Sequence, residues 1–113
     1  MKILDKRTKR VLCFHCERAD TPLKRATGLM FANRRKNILF VFDSPGKHPI
    51  HAFFVPYKFH AVYLDASLRV VDMFEVRPWT KLARSRRPAL FLLEISDGKI
   101  PKIGDTLCLA GES

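Results

Sequence analysis

Apolar and aromatic residues dominate residues 50–76, IHAFFVPYKFHAVYLDASLRVVDMFEV, and only short breaks interrupt them. Val, Ile, Phe and Tyr are the residues that a pleated surface accommodates best. The segments 55–59 and 65–68 contain proline or aspartate and are short enough to reverse the chain. The pattern therefore predicts three consecutive strands, around which the rest of the chain is organised.

The loop lengths decide which side chains share a face of this meander. With loops at 56–58 and 66–67, one face carries His51, Phe53, Val55, Phe59, Ala61, Tyr63, Val70, Asp72 and Phe74. The other face carries Ile50, Ala52, Phe54, His60, Val62, Leu64, Arg69, Val71, Met73 and Glu75. Both faces are mostly apolar, which is typical of a barrel-like or strongly wrapped sheet. A loop of different parity would swap the partners, because a slip of one residue turns every side chain over.

Further strands are predicted on both sides of the meander. Residues 11–17 form a first strand after a basic arm, 1–10, that can add residues from Ile3 onward. Residues 38–42 and 89–95 are apolar on both parities, which predicts strands buried on both faces. The prolines and glycine of 43–49 predict a surface connection, 106–109 a last short strand, and 110–113 a tail.

A single short helix is predicted near residues 21–28. Thr21 can cap it, Pro22 suits the first helical position, and Gly28 marks its end. The fold class is therefore α+β and mostly β, a small antiparallel or mixed sheet with one helix. At 113 residues the chain is long enough for one domain with its own core, expected to be monomeric.

The charge bears on partners rather than on the fold. Twenty-one basic and 11 acidic residues give a formal net charge of +10, so polyanions are the natural partners, RNA or single-stranded DNA among them. The sequence shows no signal peptide and no apolar run of membrane-spanning length. An odd number of cysteines, Cys13, Cys16 and Cys108, argues against a disulfide framework and favours the cytoplasm.

Two basic loops, 33–36 and 77–87, are the best candidate functional surface. They combine positive charge with an indole that can stack on a base or anchor the loop to the sheet. The predicted polyanion-binding residues are Arg34, Arg35, Lys36, Trp79, Lys81, Arg84, Arg86 and Arg87. A purely solvated, solubilising surface is the alternative interpretation.

Cys13-x-x-Cys16 is the sharpest local motif, because thiolates at this spacing bind zinc or cycle as a redox couple. In an extended strand, however, residues three apart point to opposite faces. The sequence therefore favours two structural thiols and no metal site. His51 and His60 are likewise predicted on opposite faces of the meander, so they could not share an ion.

No residue set amounts to a recognisable catalytic centre, and no cofactor is predicted. The alternative to a binding module is an enzyme with a polar pocket. Arg25, on the predicted helix, could pair with Glu94, and Asp65, Asp72 and Asp105 stand near strand ends. The candidate pocket residues are Arg25, Met30, His51 and Glu94.

The segment A-D-T-x-x-K-R-x-x-G-L-M at 19–30, followed by LFVF at 39–42 and VYLD at 62–65, resembles the domain of unknown function 192 family. Val70-Val71, Leu93-Glu94 and Gly104-Asp105 continue the resemblance, which covers roughly residues 13–109. It implies a small, mostly β domain with one short helix, and it implies no reaction. The sequence departs from the family pattern at 51–55 and 58–60, where His51 is closer to an archaeal-like branch and His60 replaces an acidic residue.

Overall fold

The computed structural model describes residues 1–21, 35–50, 52, 55–80 and 82–110. Within these ranges every regular element is a strand, and none is a helix long and apolar enough to cross a membrane. The strands are β1 Lys2–Asp5, β2 Val11–Cys13, β3 Cys16–Ala19, β4 Asn37–Gly46, β5 Pro49–Ile50, β6 Phe59–Leu64, β7 Val70–Val76, β8 Ala83–Arg84, β9 Ala89–Ile95 and β10 Leu107–Ala110. The mostly β prediction is confirmed.

The strands form three sheets. The largest has the order β3-β4-β9-β6-β7, with β3 parallel to β4 and the other pairs antiparallel, so it is a mixed sheet as predicted. A second sheet has the order β10-β1-β2, and β5 pairs with β8. The described strands leave these sheets open, so the predicted barrel-like closure is wrong. The predicted helix at 21–28 lies, apart from Thr21, outside the described residues and is not confirmed.

The core lies on both faces of the five-stranded sheet, because its central strands are apolar on both parities. One cluster contains Ile38, Phe40, Phe59, Ala61, Tyr63 and Leu92. The other joins Leu39, Val62, Leu64 and Leu93 to Ile3, Leu12 and Leu107 of the three-stranded sheet. Ile3 is therefore fully buried, and the predicted basic arm contributes a strand to the core.

The predicted three-stranded meander is only partly correct. β6 and β7 form the expected hairpin, but its partner on the other side is β9 and not residues 50–55. Ala52 exchanges backbone hydrogen bonds with the segment after β7: its amide donates to Thr80 and its carbonyl accepts from Trp79, both at 2.8 Å. Ala52 is therefore paired with that segment and not with β6.

An irregularity in the hairpin moves Val70 to the face opposite the predicted one. Leu64 pairs with Val70 and Tyr63 with Asp72, so Val71 is the extra residue. Val70 consequently packs with Leu64 in one cluster, while Val71 packs against the cluster that contains Tyr63. Asp72 keeps the predicted face.

Two boundaries near the ends of β4 also differ from the prediction. β4 continues through the predicted surface connection as far as Gly46, which pairs with Ala89. The predicted strand 11–17 is divided between two sheets by a bend at Phe14 and His15. This bend places Cys13 and Cys16 in the same core cluster, so the prediction of opposite faces is wrong.

Candidate functional site

The structure separates the two predicted basic clusters. Arg35 and Lys36 precede β4, beside the end of β9, whereas Arg86 and Arg87 precede β9 at its other end. At roughly 3.3 Å per residue, the length of β9 puts about 20 Å between them. They cannot form one continuous groove, and each end has to be considered separately.

Asp72 organises the end that carries Arg86. It lies on β7, where the irregular register sets it opposite Tyr63, and its side chain is 2% exposed. Its Oδ1 accepts a hydrogen bond from the Met73 amide at 2.9 Å. Hydrogen bonds from the Arg86 side chain hold the pKa of Asp72 below its usual value, so the carboxyl is ionised at neutral pH.

Arg86 meets this carboxylate with both its backbone and its side chain. The amide donates to Oδ2 at 2.8 Å, Nε donates to the same oxygen at 3.3 Å, and Nη2 donates to Oδ1 at 2.5 Å. The neighbouring Ser85 is buried; its hydroxyl donates to the Arg87 carbonyl and accepts from the Arg87 amide. The segment is therefore fixed at its backbone, while the Arg86 side chain as a whole stays 75% exposed.

Lys47, which directly follows β4, lies at the same end of the sheet as Arg86. The pair Gly46–Ala89 sets Lys47 beside Pro88. The next residue, His48, is anchored three ways: its ring stacks on Phe42 with centroids 3.7 Å apart, Nε2 lies 2.9 Å from the Ser44 carbonyl, and its own carbonyl accepts from the Tyr63 hydroxyl at 3.1 Å. The backbone that carries Lys47 is therefore positioned by the core.

We call the resulting depression the basic groove; it is lined by Lys47, Val71, Asp72, Arg86, Arg87, Pro88 and Ile103. It encloses about 640 Å³. Three cationic side chains line it against one carboxylate, and that carboxylate is buried and already occupied by Arg86. The groove therefore presents positive charge to solvent and can receive an anionic group such as a phosphate.

The other predicted polyanion-binding residues are distributed around the molecule. Arg84 is exposed on β8, paired with Pro49, and does not line the basic groove. Trp79 is 56% exposed, with a φ of 66°. Arg35 lies over the ring of Tyr57, 5.6 Å from its centroid, and donates to the Ser96 carbonyl at 3.4 Å. Lys36 pairs with Glu17 at 3.5 Å. Arg34 and Lys81 lie outside the described residues.

Of the candidate pocket, only Glu94 can be placed, since Arg25, Met30 and His51 lie outside the described residues. Glu94 is on β9, opposite Ile38 and Ala61, and is 4% exposed. Burial raises its pKa to about 8. Its charge contributes in turn to the raised pKa of Tyr57 and Tyr63, whose main cause is burial. Glu94 is thus a carboxyl that is protonated at neutral pH, within a largely apolar layer.

The described residues do not support a metal site, because no three His, Cys, Asp or Glu side chains converge among them. His60 lies 4.0 Å from Glu75 on the neighbouring strand, and His48 is engaged as described above. That the chain holds no metal stays a prediction.

Sequence reasoning missed Lys47 and the role of Asp72. Asp72 was recognised only as one of several carboxylates near strand ends, and Lys47 only as part of a loop. The signal that could have found them is the long-range pairing of Gly46 with Ala89, which no local pattern encodes.

The comparisons with known proteins agree with this fold. The chain is 30% identical over 95 residues to a UPF0127 protein of Pyrococcus horikoshii, covering 79% of this chain and 82% of that one. A UPF0127 protein of Pyrococcus furiosus is also 30% identical over 95 residues, covering 79% and 81%.

Two solved structures share the architecture. One is a protein of unknown function from Novosphingobium aromaticivorans, with a TM-score of 0.81 at 19% identity, covering 96% of this chain and 84% of that one. The other is a proposed transcription regulator from Sinorhizobium meliloti, with a TM-score of 0.81 at 18% identity, covering 94% and 88%. At these identities the likeness concerns the fold alone. The family model of DUF192, described as uncharacterized ACR, matches residues 3–106, and the chain belongs to that family.

Proposed function

We propose that this chain is a binding module for single-stranded nucleic acid, RNA or DNA, that seats backbone phosphate in the basic groove. The observation that carries the proposal is the convergence of Lys47, Arg86 and Arg87 on one depression, in which the one carboxylate among the described lining residues is buried. Asp72 accepts hydrogen bonds from both the backbone and the side chain of Arg86. The Arg86 side chain is therefore preorganised, and binding a ligand costs less of its conformational entropy.

The net charge of +10 supports the same proposal, because it raises the local concentration of any polyanion around the molecule. Trp79, more than half exposed after β7, offers a flat surface on which a base can stack. A reducing, cytoplasmic setting remains our expectation, and it suits three cysteines that are all free.

The test is the salt dependence of binding to fluorescently labelled oligouridylate and oligothymidylate. Three phosphate contacts predict a slope of about −2 in log K against log salt, so affinity should fall about twentyfold between about 50 and about 200 mM salt. In the Lys47→Gln/Arg87→Gln variant the slope should become shallower by roughly 1.4.

The matched control is Lys36→Gln/Lys99→Gln, which removes the same charge near the opposite end of β9. This variant should keep the wild-type slope, because neither residue lines the basic groove. An equally shallower salt slope in both variants would show that net charge drives the binding and that the basic groove is not a specific site. No measurable binding by the wild type at the lower salt concentration would end the proposal.

Trp79→Ala addresses the aromatic contribution separately. If the indole stacks on a base, affinity should fall by roughly 1–3 kcal/mol with an unchanged salt slope. Thermal unfolding must first show that the variant is folded, since Trp79 also donates its amide to Ala52 at 2.8 Å. Unchanged affinity in a folded variant would restrict the interaction to phosphate.

An enzyme is the second candidate, and one observation favours it. Glu94 is buried, and its pKa is raised to about 8, which is the condition of a general acid. A small molecule that co-purifies with the wild type and is lost from Glu94→Gln would support this alternative. Retention of every such molecule by the variant would count against it.

A further inference from the structure

The bend between β2 and β3 changes the relation of two cysteines. On β1, Ile3 pairs with Cys13, while Met1 and Cys16 exchange backbone hydrogen bonds of 2.9 and 3.1 Å. The two steps from Met1 to Ile3 therefore lie opposite the three steps from Cys13 to Cys16, so one residue at the bend is extra. Because side chains two apart on β1 share a face, the partners Cys13 and Cys16 also share a face.

The two thiols consequently interact directly. Hydrogen bonding between them lowers the pKa of the Cys13 thiol and raises that of Cys16, and burial raises the pKa of Cys16 further. A backbone hydrogen bond from Ile3 also lowers the pKa of Cys13. The pair is thus asymmetric: Cys13 is the better thiolate, and Cys16 holds the proton.

Both cysteines line a depression of about 880 Å³, which we call the thiol pocket; its other lining residues are Val11, Leu12, Phe14, His15, Glu17, Arg35, Lys36, Asn37, Asp97, Gly98 and Lys99. The sulfur-bearing residues are only 2% and 5% exposed. The pocket has the size of small-molecule sites, and thiols exposed this little favour a small molecule over the surface of another folded protein. The pocket favours an anionic ligand, because its basic lining residues, Arg35, Lys36 and Lys99, outnumber its acidic ones, Glu17 and Asp97.

A structural role for the thiols explains their burial but not their asymmetry or their place in the wall of an open pocket. A metal site needs further ligands, and within the described part of the chain no third His, Cys, Asp or Glu converges with them. Two sulfurs on one face, three residues apart across a bend, are instead arranged as a dithiol that can close into a disulfide.

We propose that Cys13 and Cys16 form a redox couple that exchanges with a small anionic disulfide in the thiol pocket. The Cys13 thiolate attacks one sulfur of the disulfide RSSR, whose S–S bond breaks and releases RS⁻. The Cys16 thiol then loses its proton and attacks the Cys13 sulfur of the mixed disulfide, releasing the second RS⁻. Both leaving groups take up a proton, so the protein loses two electrons and two protons, and RSSR becomes two RSH.

The experiment uses the full chain with Cys108→Ser as background, because Cys108 lies apart on β10 and is partly exposed. The probes are glutathione disulfide, which is anionic, and cystamine, which is cationic. Intact-mass spectrometry after alkylation should show closure of an internal disulfide, with the loss of two hydrogens, and faster closure with glutathione disulfide. In Cys16→Ser the mixed disulfide on Cys13 should accumulate, and in Cys13→Ser the reaction should slow on the order of tenfold or more.

Cys13→Ala and Cys16→Ala, checked by thermal unfolding, replace either serine variant that fails to fold. Reaction confined to Cys108 in the unmodified chain, or equal rates for Cys13 and Cys16 in the single variants, would overturn the proposal. So would a Cys16→Ser protein that never forms the mixed disulfide. Faster closure with cystamine would overturn the assignment of an anionic partner.

Discussion

The two ends of the β4–β9 pair shift the pKa of a buried carboxyl group in opposite directions. At the basic groove, Asp72 is surrounded by donors from Arg86 and Met73, and its pKa is lowered. Toward the thiol pocket, Glu94 has no such cation among the described residues, and burial raises its pKa to about 8. Asp72 is therefore ionised at neutral pH, while Glu94 is protonated there and loses its proton near pH 8. Both residues are almost fully buried, but hydrogen-bond donors outweigh burial at Asp72, whereas burial alone shifts the pKa of Glu94.

The ends also differ in how tightly the backbone is packed, and glycine substitutions expose this difference most strongly. A Cβ on Gly98 would collide with the Leu12 carbonyl oxygen, which belongs to the backbone of β2. A Cβ on Gly46 would meet only the ring of His48, at 3.3 Å.

Gly98→Ala should therefore lower the free energy of unfolding by about 3 kcal/mol, whereas Gly46→Ala should change it by less than about 1 kcal/mol. Denaturant titration of both variants measures the two values. The collision would also move β2 away from the turn at Gly98, so closure of the Cys13–Cys16 disulfide should change in the first variant only. Equal stability losses would mean that the two ends are packed alike.

Glu94→Gln tests the proton stored toward the thiol pocket. The folded pKa of about 8 exceeds the usual value of 4.5 for a glutamate carboxyl, so the contribution of Glu94 to stability is present below about pH 4.5 and is lost as pH rises through 8. The variant lacks this loss and should be more stable than the wild type at pH 9 by up to about 5 kcal/mol, since each pKa unit between 4.5 and 8 corresponds to about 1.4 kcal/mol.

Thermal or chemical unfolding between pH 5 and pH 9 measures the effect. The difference between the two proteins should grow with pH over that window. A constant difference would show that Glu94 is ionised in the folded protein throughout, and the contrast with Asp72 would disappear.

Asp72→Ala tests the buried carboxylate that is paired with Arg86, and its effect should be smaller. It should lower the free energy of unfolding by about 2 kcal/mol at pH 7, because the Arg86 and Met73 amides lose their acceptor. Arg86→Ala is the control, and it should cost less, since the amide of residue 86 can still donate to Asp72. The lowered pKa of Asp72 contributes stability above about pH 3.8 that is lost as pH falls. In Arg86→Ala this loss should begin at a higher pH. A larger loss of stability in Arg86→Ala than in Asp72→Ala would place the stabilisation in the guanidinium.

The sequence predicted the parts of the fold whose information is local. The strand at 89–95 was predicted at its observed bounds, and the β6–β7 hairpin was predicted from its apolar run and its turn. It did not predict the partner of residues 50–55, because the alternative, Ala52 bonded to Thr80, depends on a segment with no strand pattern. A register irregularity of one residue was likewise invisible, and it reversed Val70 and brought Cys13 and Cys16 together.

The candidate sites were predicted less completely than the fold. Charge density correctly identified Arg86 and Arg87 as exposed, but it grouped them with Arg35 and Lys36, which lie about 20 Å away along β9. Density along a sequence does not report which cations meet in space. An unbroken strand predicts opposite faces for Cys13 and Cys16, and the bend at Phe14 and His15 interrupts that strand.

The order of strands has a consequence for how the molecule is assembled. β1 pairs with β10, β3 with β4, and β4 with β9, so most ladders join segments far apart in the chain, while the β1–β2 and β6–β7 pairs are local. Closing long loops costs entropy before the contacts repay it, which places such topologies among slowly folding domains. The basic groove needs Gly46 on Ala89, and the thiol pocket needs Cys16 beside Asn37. Both surfaces therefore exist only where these long-range pairs have formed, and a chain that lacks the pairs has neither.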